Sequence, residues 1–292
     1  MSEPFRVNIL TIFPEMFDSF LSASILGRAR EQGLLDVRLT DIRPFSKSKH
    51  RNTDDYPFGG GAGMVMMAQP VMDAVSAASA LWPYARRIYL GPRGKRLTTS
   101  LARDLSREKA LILLCGHYEG VDQRALDNCV DEEISIGDYI LTGGEPAAMV
   151  LVDCVSRFIP GVLGCSDSPE EESFSDGLLE YPQYTRPRDL NGLTVPDILL
   201  SGDHAKIRSW RRQESLRATL KYRPDLLSSA PLDPADRKFL DSLMNPPGPA
   251  GLNSDSTAFG SPCSEFHGSG KSYPEIPDSE RKEMIGSCSS ES

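Results

Sequence analysis

Three glycine-bearing loops are the part of this sequence best suited to bind a ligand. They span residues 91–94, 116–120 and 137–145, and each follows a short apolar run typical of a buried β-strand. In an open parallel sheet, ligands bind in the crevice beyond the carboxyl ends of the strands, so we expect the three loops to share one pocket. Glycine lets backbone amides approach a ligand closely. Any one of these loops alone is also compatible with an ordinary strand-to-helix turn.

Several common reaction classes lack their motifs here. The run at residues 59–63 fits neither the dinucleotide fingerprint nor the phosphate-binding loop of nucleoside triphosphatases, and Lys95 is misplaced for the lysine of that loop. The sequence has no G-x-S-x-G motif, and no cysteine lies in a motif that marks a nucleophile. The pattern therefore favours a reaction without a covalent intermediate.

The elements that position these loops alternate between strand and helix over the first 160 residues. This alternation, with strands that read as continuous apolar runs, predicts an α/β fold with a mostly parallel sheet covered by helices. The predicted strands span residues 6–13, 37–41, 87–90, 110–115 and 133–136. The predicted helices span residues 16–31, 101–107, 122–129 and 147–158.

The rest of the chain changes character twice. Residues 161–190 lack periodicity and are rich in Gly, Ser, Pro and acidic residues, which predicts a flexible interdomain segment. Residues 191–245 predict a helical unit, with one helix capped by Asp203 and another begun at Pro234. Residues 246–292 hold eleven Ser, six Gly and six Pro, a composition typical of a disordered tail.

The composition indicates a cytoplasmic protein. Hydrophobic residues make up 39% and charged residues 25% of the chain, and no apolar run is long enough to span a membrane. No basic patch followed by an apolar stretch marks a secretory signal. The six cysteines and four histidines are scattered, without metal-ligand or disulfide spacing.

The net charge of −9 argues against a polyanionic partner. However, residues 246–292 contain seven acidic and three basic residues and so contribute −4 of this charge. Basic clusters remain at residues 43–51 and 208–223, so a nucleic-acid partner stays compatible with the sequence.

Longer strings, in one consistent order from residue 6 to about residue 240, resemble the bacterial tRNA (guanine-N1)-methyltransferase family of the knotted SPOUT superfamily. The strings are FPEMF (13–17), DDYPFGGGAGM (54–64), CGHYEG (115–120), SIGDYILTGGE (135–145), SRFIPGVLG (156–164), GLLEYPQYTRP (177–187), LLSGDH (199–204) and WR (210–211).

The resemblance implies a fold and an activity. It implies a deep trefoil knot within residues 1–160, which the rarity of knots would otherwise argue against. It also implies a small all-α domain that binds tRNA, and a homodimer in which each pocket is completed by the partner subunit. The implied reaction transfers a methyl group from S-adenosylmethionine to N1 of the guanosine 3′ to the anticodon, position 37. A preceding G is preferred, and the modification maintains the reading frame.

The resemblance places S-adenosylmethionine among the three glycine loops. The implied cofactor-binding residues are Leu90, Pro92, Gly116, Glu119, Ile136, Gly137, Tyr139, Leu141, Gly143 and Gly144. Glu119 is implied to hold either the target base or the cofactor, with a loop-capping carboxylate as the alternative. The family is also described as dependent on Mg²⁺, although no metal motif is present in this sequence.

Two residues are implied to carry the chemistry. Guanine N1 must lose a proton, and this places negative charge on O6, so the reaction needs a base near N1 and a cation near O6. Arg157 matches the cation, with a helix-end salt bridge as the alternative. Glu172 aligns with the family's proposed base, which is normally an aspartate; a solvated acidic run at residues 170–172 is the alternative.

The implied substrate contacts lie in three places. Asp54 and Gly63 match positions that hold the preceding nucleotide, and Tyr118 is suited to stack on guanine. His204 and Arg208 lie on a basic helix suited to the tRNA backbone, although a solvated helical face is the alternative. Two other functions remain open: a knotted ribose 2′-O-methyltransferase, and a tRNA-binding module that has lost activity through the change from Asp to Glu.

Overall fold

The computed structural model describes residues 3–164 and 172–245. The strands in these residues are β1 (Phe5–Thr11), β2 (Leu35–Asp41), β3 (Asp54–Asp55), β4 (Val65–Met66), β5 (Arg86–Arg96), β6 (Ala110–Cys115), β7 (Glu132–Ser135), β8 (Asp189–Leu190) and β9 (Leu193–Thr194). The α-helices are α1 (Asp18–Ser22), α2 (Ser24–Glu31), α3 (Ala68–Leu81), α4 (Thr99–Leu105), α5 (Gln123–Cys129), α6 (Glu145–Ser156), α7 (His204–Tyr222) and α8 (Pro234–Met244).

A parallel sheet forms the centre of the fold, with strand order β2–β1–β6–β5–β7. Every residue of β6 is buried, as expected for a central strand that is covered on both faces. The predicted α/β fold with a mostly parallel sheet is therefore confirmed.

Helices cover both faces of this sheet. One hydrophobic cluster joins the sheet to α1, α2, α4 and α6, and it includes Leu21, Leu105 and Leu151. The other joins the sheet to α3 and α5 through residues such as Val71 and Leu126. Since both faces are closed by helices, a ligand has access to the sheet at the ends of its strands.

The segment after residue 172 has a small core of its own. Leu178, Leu216 and Leu240 are buried together, and they join the segment before β8 to α7 and α8. Arg212 of α7 also forms an ion pair with Asp236 of α8, with 2.7 Å between the guanidinium nitrogen and the carboxylate oxygen. Part of the segment predicted to be flexible is thus packed against α7.

The observed helices and strands differ from the predicted ones in several places. The predicted helix at residues 16–31 is divided, because Ala23 is extended and Ser24 has a φ of 54°. Helix α3 and the two-residue ladders β3–β4 and β8–β9 were not predicted. The predicted tail, residues 246–292, lies outside the described residues. No helix among the described residues is long and apolar enough to cross a membrane.

Candidate active site

A cavity of about 370 Å³ opens where β6 and β7 end and where β5 bulges between Leu90 and Lys95. Its volume lies within the roughly 300–1,000 Å³ that is usual for small-molecule sites. All three glycine loops contribute to its wall, as their positions after the strands predicted. The ten implied cofactor-binding residues also lie on this wall: Leu90, Pro92, Gly116, Glu119, Ile136, Gly137, Tyr139, Leu141, Gly143 and Gly144. Their role in binding stays a prediction.

Two of the loops contact each other directly at the base of the cavity. The Gly144 amide donates a hydrogen bond to the Gly116 carbonyl at 2.8 Å. A Cβ atom at Gly144 would lie 2.8 Å from the Cα of Cys115 and 2.9 Å from the Gly116 nitrogen. These are backbone atoms, so neither can move aside as the end of a flexible side chain would. Gly144 is therefore required by close backbone packing.

The ribbon formed by β3 and β4 lies beside the second glycine loop. The Glu119 amide donates to the carbonyl of Met64 at 3.0 Å, and a Cβ on Gly63 would lie 2.5 Å from Oε1 of Glu119. Burial, and then the charge of Asp54, raise the pKa of the Tyr118 phenol. The phenol also forms side-chain hydrogen bonds with Thr53 and Asp54. Four implied substrate residues are thus brought together: Asp54, Gly63, Tyr118 and Glu119.

A buried carboxylate beneath these loops was not identified from the sequence. Glu145 is 1% exposed, and its Oε1 accepts a 2.7 Å hydrogen bond from the Thr11 hydroxyl. It occupies the first turn of α6, where a negative charge interacts favourably with the helix dipole. Nδ1 of His117 lies 4.0 Å from the other oxygen. Ile140 and Thr142 also line the cavity and were missed, although both lie inside a predicted loop.

The two implied catalytic residues meet each other, but they do not line the cavity. Arg157 caps the end of α6 and forms an ion pair with Glu172, and the two side chains are 35% and 34% exposed. Neither is among the cavity-lining residues of the chain. The helix-end salt bridge considered from the sequence is therefore present, and within one chain this pair is separate from the cavity wall.

The implied backbone-binding residues lie on the first turns of α7. The helix is capped by Asp203, whose carboxylate accepts from the Ala205 and Lys206 amides. His204 and Arg208 follow this cap and line a separate cleft of about 480 Å³ together with Trp210. They do not line the cavity.

Residues 5–229 match the model of a protein family described as tRNA (guanine-1)-methyltransferase TrmD. The chain belongs to this family. The resemblance seen in its sequence strings is thereby confirmed.

Curated relatives of this family member are similar over nearly their whole length. Three proteins named tRNA (guanine-N(1)-)-methyltransferase illustrate this. The protein from Moorella thermoacetica is 55% identical over 82% of this chain and 96% of its own. The protein from Geotalea uraniireducens is 54% identical over 84% of this chain and 100% of its own. The protein from Geobacillus kaustophilus is 56% identical over 80% of this chain and 96% of its own. This chain thus extends beyond the region that it shares with these relatives.

Proposed function

We propose that this protein transfers the methyl group of S-adenosylmethionine to N1 of a guanosine in tRNA. The observation that carries the proposal is the match to the tRNA (guanine-1)-methyltransferase family over residues 5–229. The more specific substrate is guanosine 37, directly 3′ to the anticodon, with a preference for a preceding G. The ribbon that holds Asp54 and Gly63 beside Tyr118 supports such a preference, because it adjoins the loop implied to contact the target base.

The glycine-lined cavity fits S-adenosylmethionine. Glycines on the cavity wall, such as Gly137 and Gly143, let a ligand approach the backbone closely, while Leu90, Ile136 and Leu141 provide apolar contacts for the adenine ring. When bound, this cofactor supplies an electrophilic methyl group on a positively charged sulfur. Holding the acceptor nitrogen against that methyl group supplies much of the rate acceleration, because a two-molecule encounter becomes one step within a complex.

Glu172 and Arg157 act on the guanine that accepts the methyl group. With the cofactor bound, N1 would take the methyl group and leave a neutral thioether, and the Glu172 carboxylate would receive the N1 proton. The Arg157 guanidinium stabilises the negative charge that develops on O6. In the free chain these side chains neutralise each other, so substrate binding must open their ion pair.

A homodimer accounts for the separation of this pair from the cavity. Since neither Arg157 nor Glu172 lines the cavity of its own chain, the pocket of one subunit is completed by the connecting segment of the other. In this proposal, residues 1–160 form the knotted methyltransferase domain, residues 161–190 the interdomain segment and residues 191–245 the tRNA-binding domain. The protein acts in the cytoplasm, where its tRNA substrate is found.

Magnesium is not assigned a protein site. Among residues 3–164 and 172–245, no group of three or more His, Cys, Asp or Glu side chains could hold a metal ion. The mechanism above uses no step through Mg²⁺.

The decisive test is methyl incorporation from labelled S-adenosylmethionine into unmodified tRNA, followed by nucleoside analysis. Transcripts with GG at positions 36 and 37 are compared with transcripts that carry another base at position 36. We expect 1-methylguanosine, formed preferentially with GG. A 2′-O-methylated product would instead indicate the ribose methyltransferase, and cofactor binding without any methylated product would indicate an inactive tRNA-binding module.

A further inference from the structure

The cleft of about 480 Å³ on the C-terminal segment has the composition of a ligand site. It lies between residues 181–184 and the first three turns of α7, and it shares no lining residue with the cofactor cavity. Six of its residues are aromatic or basic: Tyr181, Tyr184, His204, Arg208, Trp210 and Arg211. None of the described residues that line it is Asp or Glu, although the whole chain carries a net charge of −9.

One aromatic side chain of the cleft, Tyr184, is exposed, whereas Trp210 and Tyr181 beside it are partly buried. The ring centroids of Tyr184 and Trp210 are 6.4 Å apart with 50° between their planes, and Tyr184 is 48% exposed. Burial of an aromatic ring stabilises a fold, so the exposure of Tyr184 has a cost that a ligand can offset. The two rings provide apolar faces on which a flat group can stack.

Two arginines and a histidine lie beside these rings. The guanidinium carbon of Arg211 lies 4.7 Å from the ring centre of Tyr181, and its Nε is buried without a hydrogen-bond partner among the described residues. Arg208 and His204 lie one and two turns earlier on α7, at the same cleft. A buried donor without a partner is costly, and an acceptor from a ligand would satisfy it.

A ligand that matches the cleft must have a flat aromatic face and a negative charge close to it. A free phosphate would not use the rings, and an aromatic peptide side chain would not use the cations. Single-stranded RNA has both features, and proteins recognise its unpaired bases by stacking them on aromatic residues beside a basic surface.

We propose that this cleft binds an unpaired nucleobase of the RNA substrate, other than the base that is methylated. The base stacks on Tyr184 and Trp210, and the adjoining phosphate lies toward Arg208 and His204. This inference rests on the proposed function, because that function makes RNA the substrate. The cleft would then hold the anticodon arm at a second point and restrict its orientation on the enzyme.

The two tryptophans of the chain permit a direct test. Trp82 is 5% exposed and belongs to the core of the α/β part, so Trp82→Phe leaves Trp210 as the reporter. Stacking of a base on Trp210 quenches its fluorescence. The ligand is a hairpin copied from the anticodon arm, and the controls are hairpins in which each loop nucleotide in turn lacks its base.

We expect saturable quenching that one particular abasic position abolishes. Tyr184→Leu should weaken hairpin binding by about tenfold, consistent with the loss of one stacking partner, whereas Tyr184→Phe should bind normally. Tyr184 is exposed, so these variants should fold. Should Trp82→Phe fail to fold, a dye-labelled hairpin is titrated against the wild-type chain and the Tyr184 variants.

Several outcomes would overturn the cleft as a base site. Equal quenching by every abasic hairpin would show that phosphates alone bind, and a Trp210 signal insensitive to RNA would show that something else covers the cleft, such as a second copy of the chain. An unchanged affinity of Tyr184→Leu for the hairpin would also contradict the proposed base site. The methylation assay is run in parallel: product without quenching rejects the cleft alone, whereas quenching without product rejects the proposed methyl transfer alone.

Discussion

At the scale of single residues, Glu172 provides the most direct test of the chemistry. Glu172→Gln keeps the size and hydrogen-bonding oxygen of the side chain, but a neutral amide cannot receive the N1 proton. We expect kcat to fall by about 10²- to 10⁴-fold, as is usual when a general base is removed. The affinity for S-adenosylmethionine should not change, because Glu172 does not line the cavity of its own chain and in the proposed mechanism contacts the acceptor base rather than the cofactor. Methyl incorporation and equilibrium cofactor binding measure the two quantities.

The matched control for this substitution is Glu172→Asp. It keeps the carboxylate and shortens the side chain by one methylene, which restores the residue implied by the family resemblance. Activity should stay within about tenfold of the wild type, since the charge and the proton acceptor remain. If the Gln variant were as active as the wild type, Glu172 would not be the base.

A substitution at Gly144 tests the packing of the glycine loops. In Gly144→Ala, the new Cβ would lie 2.8 Å from the Cα of Cys115, so one loop must move away from the other. Overpacking of this kind costs about 1–3 kcal/mol, and we expect the movement to weaken S-adenosylmethionine binding at least tenfold. The dissociation constant is measured by calorimetry. Gly164→Ala is the control, since no atom of the described residues lies within 4 Å of its Cβ; a loss of binding there would contradict the steric explanation.

Residues differ in how well the sequence predicts them. The glycine loops were placed at one pocket because each follows a recognisable apolar strand. Glu145 was not predicted as a buried carboxylate, because its partner Thr11 lies 134 positions away in the chain. No local pattern reports a hydrogen bond of that separation, whereas the position of a loop after a strand is a local property.

At the scale of secondary-structure elements, the contact between α7 and α8 depends on Asp236. Burial by itself would raise the pKa of this carboxyl, but hydrogen bonds from Arg212 and from the Asp233 amide hold it below its ordinary value. A lowered pKa means that the ionised pair stabilises the folded state above the unfolded-state pKa of about 3.9. This contribution is lost as the pH falls through the lower pKa of the folded protein.

We therefore expect Asp236→Asn to destabilise the pair of helices by about 1–3 kcal/mol at pH 7. Hydrogen exchange of the α8 amides is the measurement, and the difference between variant and wild type should shrink toward acidic pH. Asp225→Asn removes the exposed ion pair with Arg223 and should leave α8 protection unchanged. A pH-independent difference at Asp236 would show that packing, rather than charge, joins the helices.

Elements with a long apolar pattern were predicted well, and short ones were not. Strand β6 has the predicted bounds, and α8 begins at Pro234 as predicted. The ladders β3–β4 and β8–β9 have two residues in each strand, which is too short to show an alternating pattern. The break at Ala23 was missed because residues 16–31 keep a helical apolar pattern across it.

At the scale of the whole molecule, the C-terminal extension should be dispensable for catalysis. The family model ends at residue 229, and the Moorella thermoacetica relative aligns with 82% of this chain over 96% of its own length. A chain ending at Met244 should therefore keep its kcat. Removal of seven acidic and three basic residues should also strengthen tRNA binding at low salt, because the protein becomes less negative. Methylation kinetics at several salt concentrations test both points, and a large loss of kcat would assign the extension a role.

Global topology is the least predictable level from local patterns. Alternation of strand and helix predicted the parallel sheet, yet every rule for chain connections counts knots as exceptional. The knot was therefore predicted only from the resemblance to a family. In the same way, a net charge of −9 argued against RNA, since a total charge does not report how basic side chains cluster.

The homodimer can be tested by complementation between two impaired chains, assayed at a concentration of S-adenosylmethionine that saturates the wild type but does not support turnover by Gly144→Ala. If each pocket combines the cavity of one subunit with Glu172 of the partner subunit, Glu172→Gln and Gly144→Ala damage different halves of it. A heterodimer then contains one pocket in which both halves are intact. Random co-assembly should restore about a quarter of wild-type activity, since half of the dimers are mixed and each has one working pocket of two. If each chain forms its own complete pocket, no mixture of the two variants recovers activity. Glu172 would then have to move to the cavity of its own subunit.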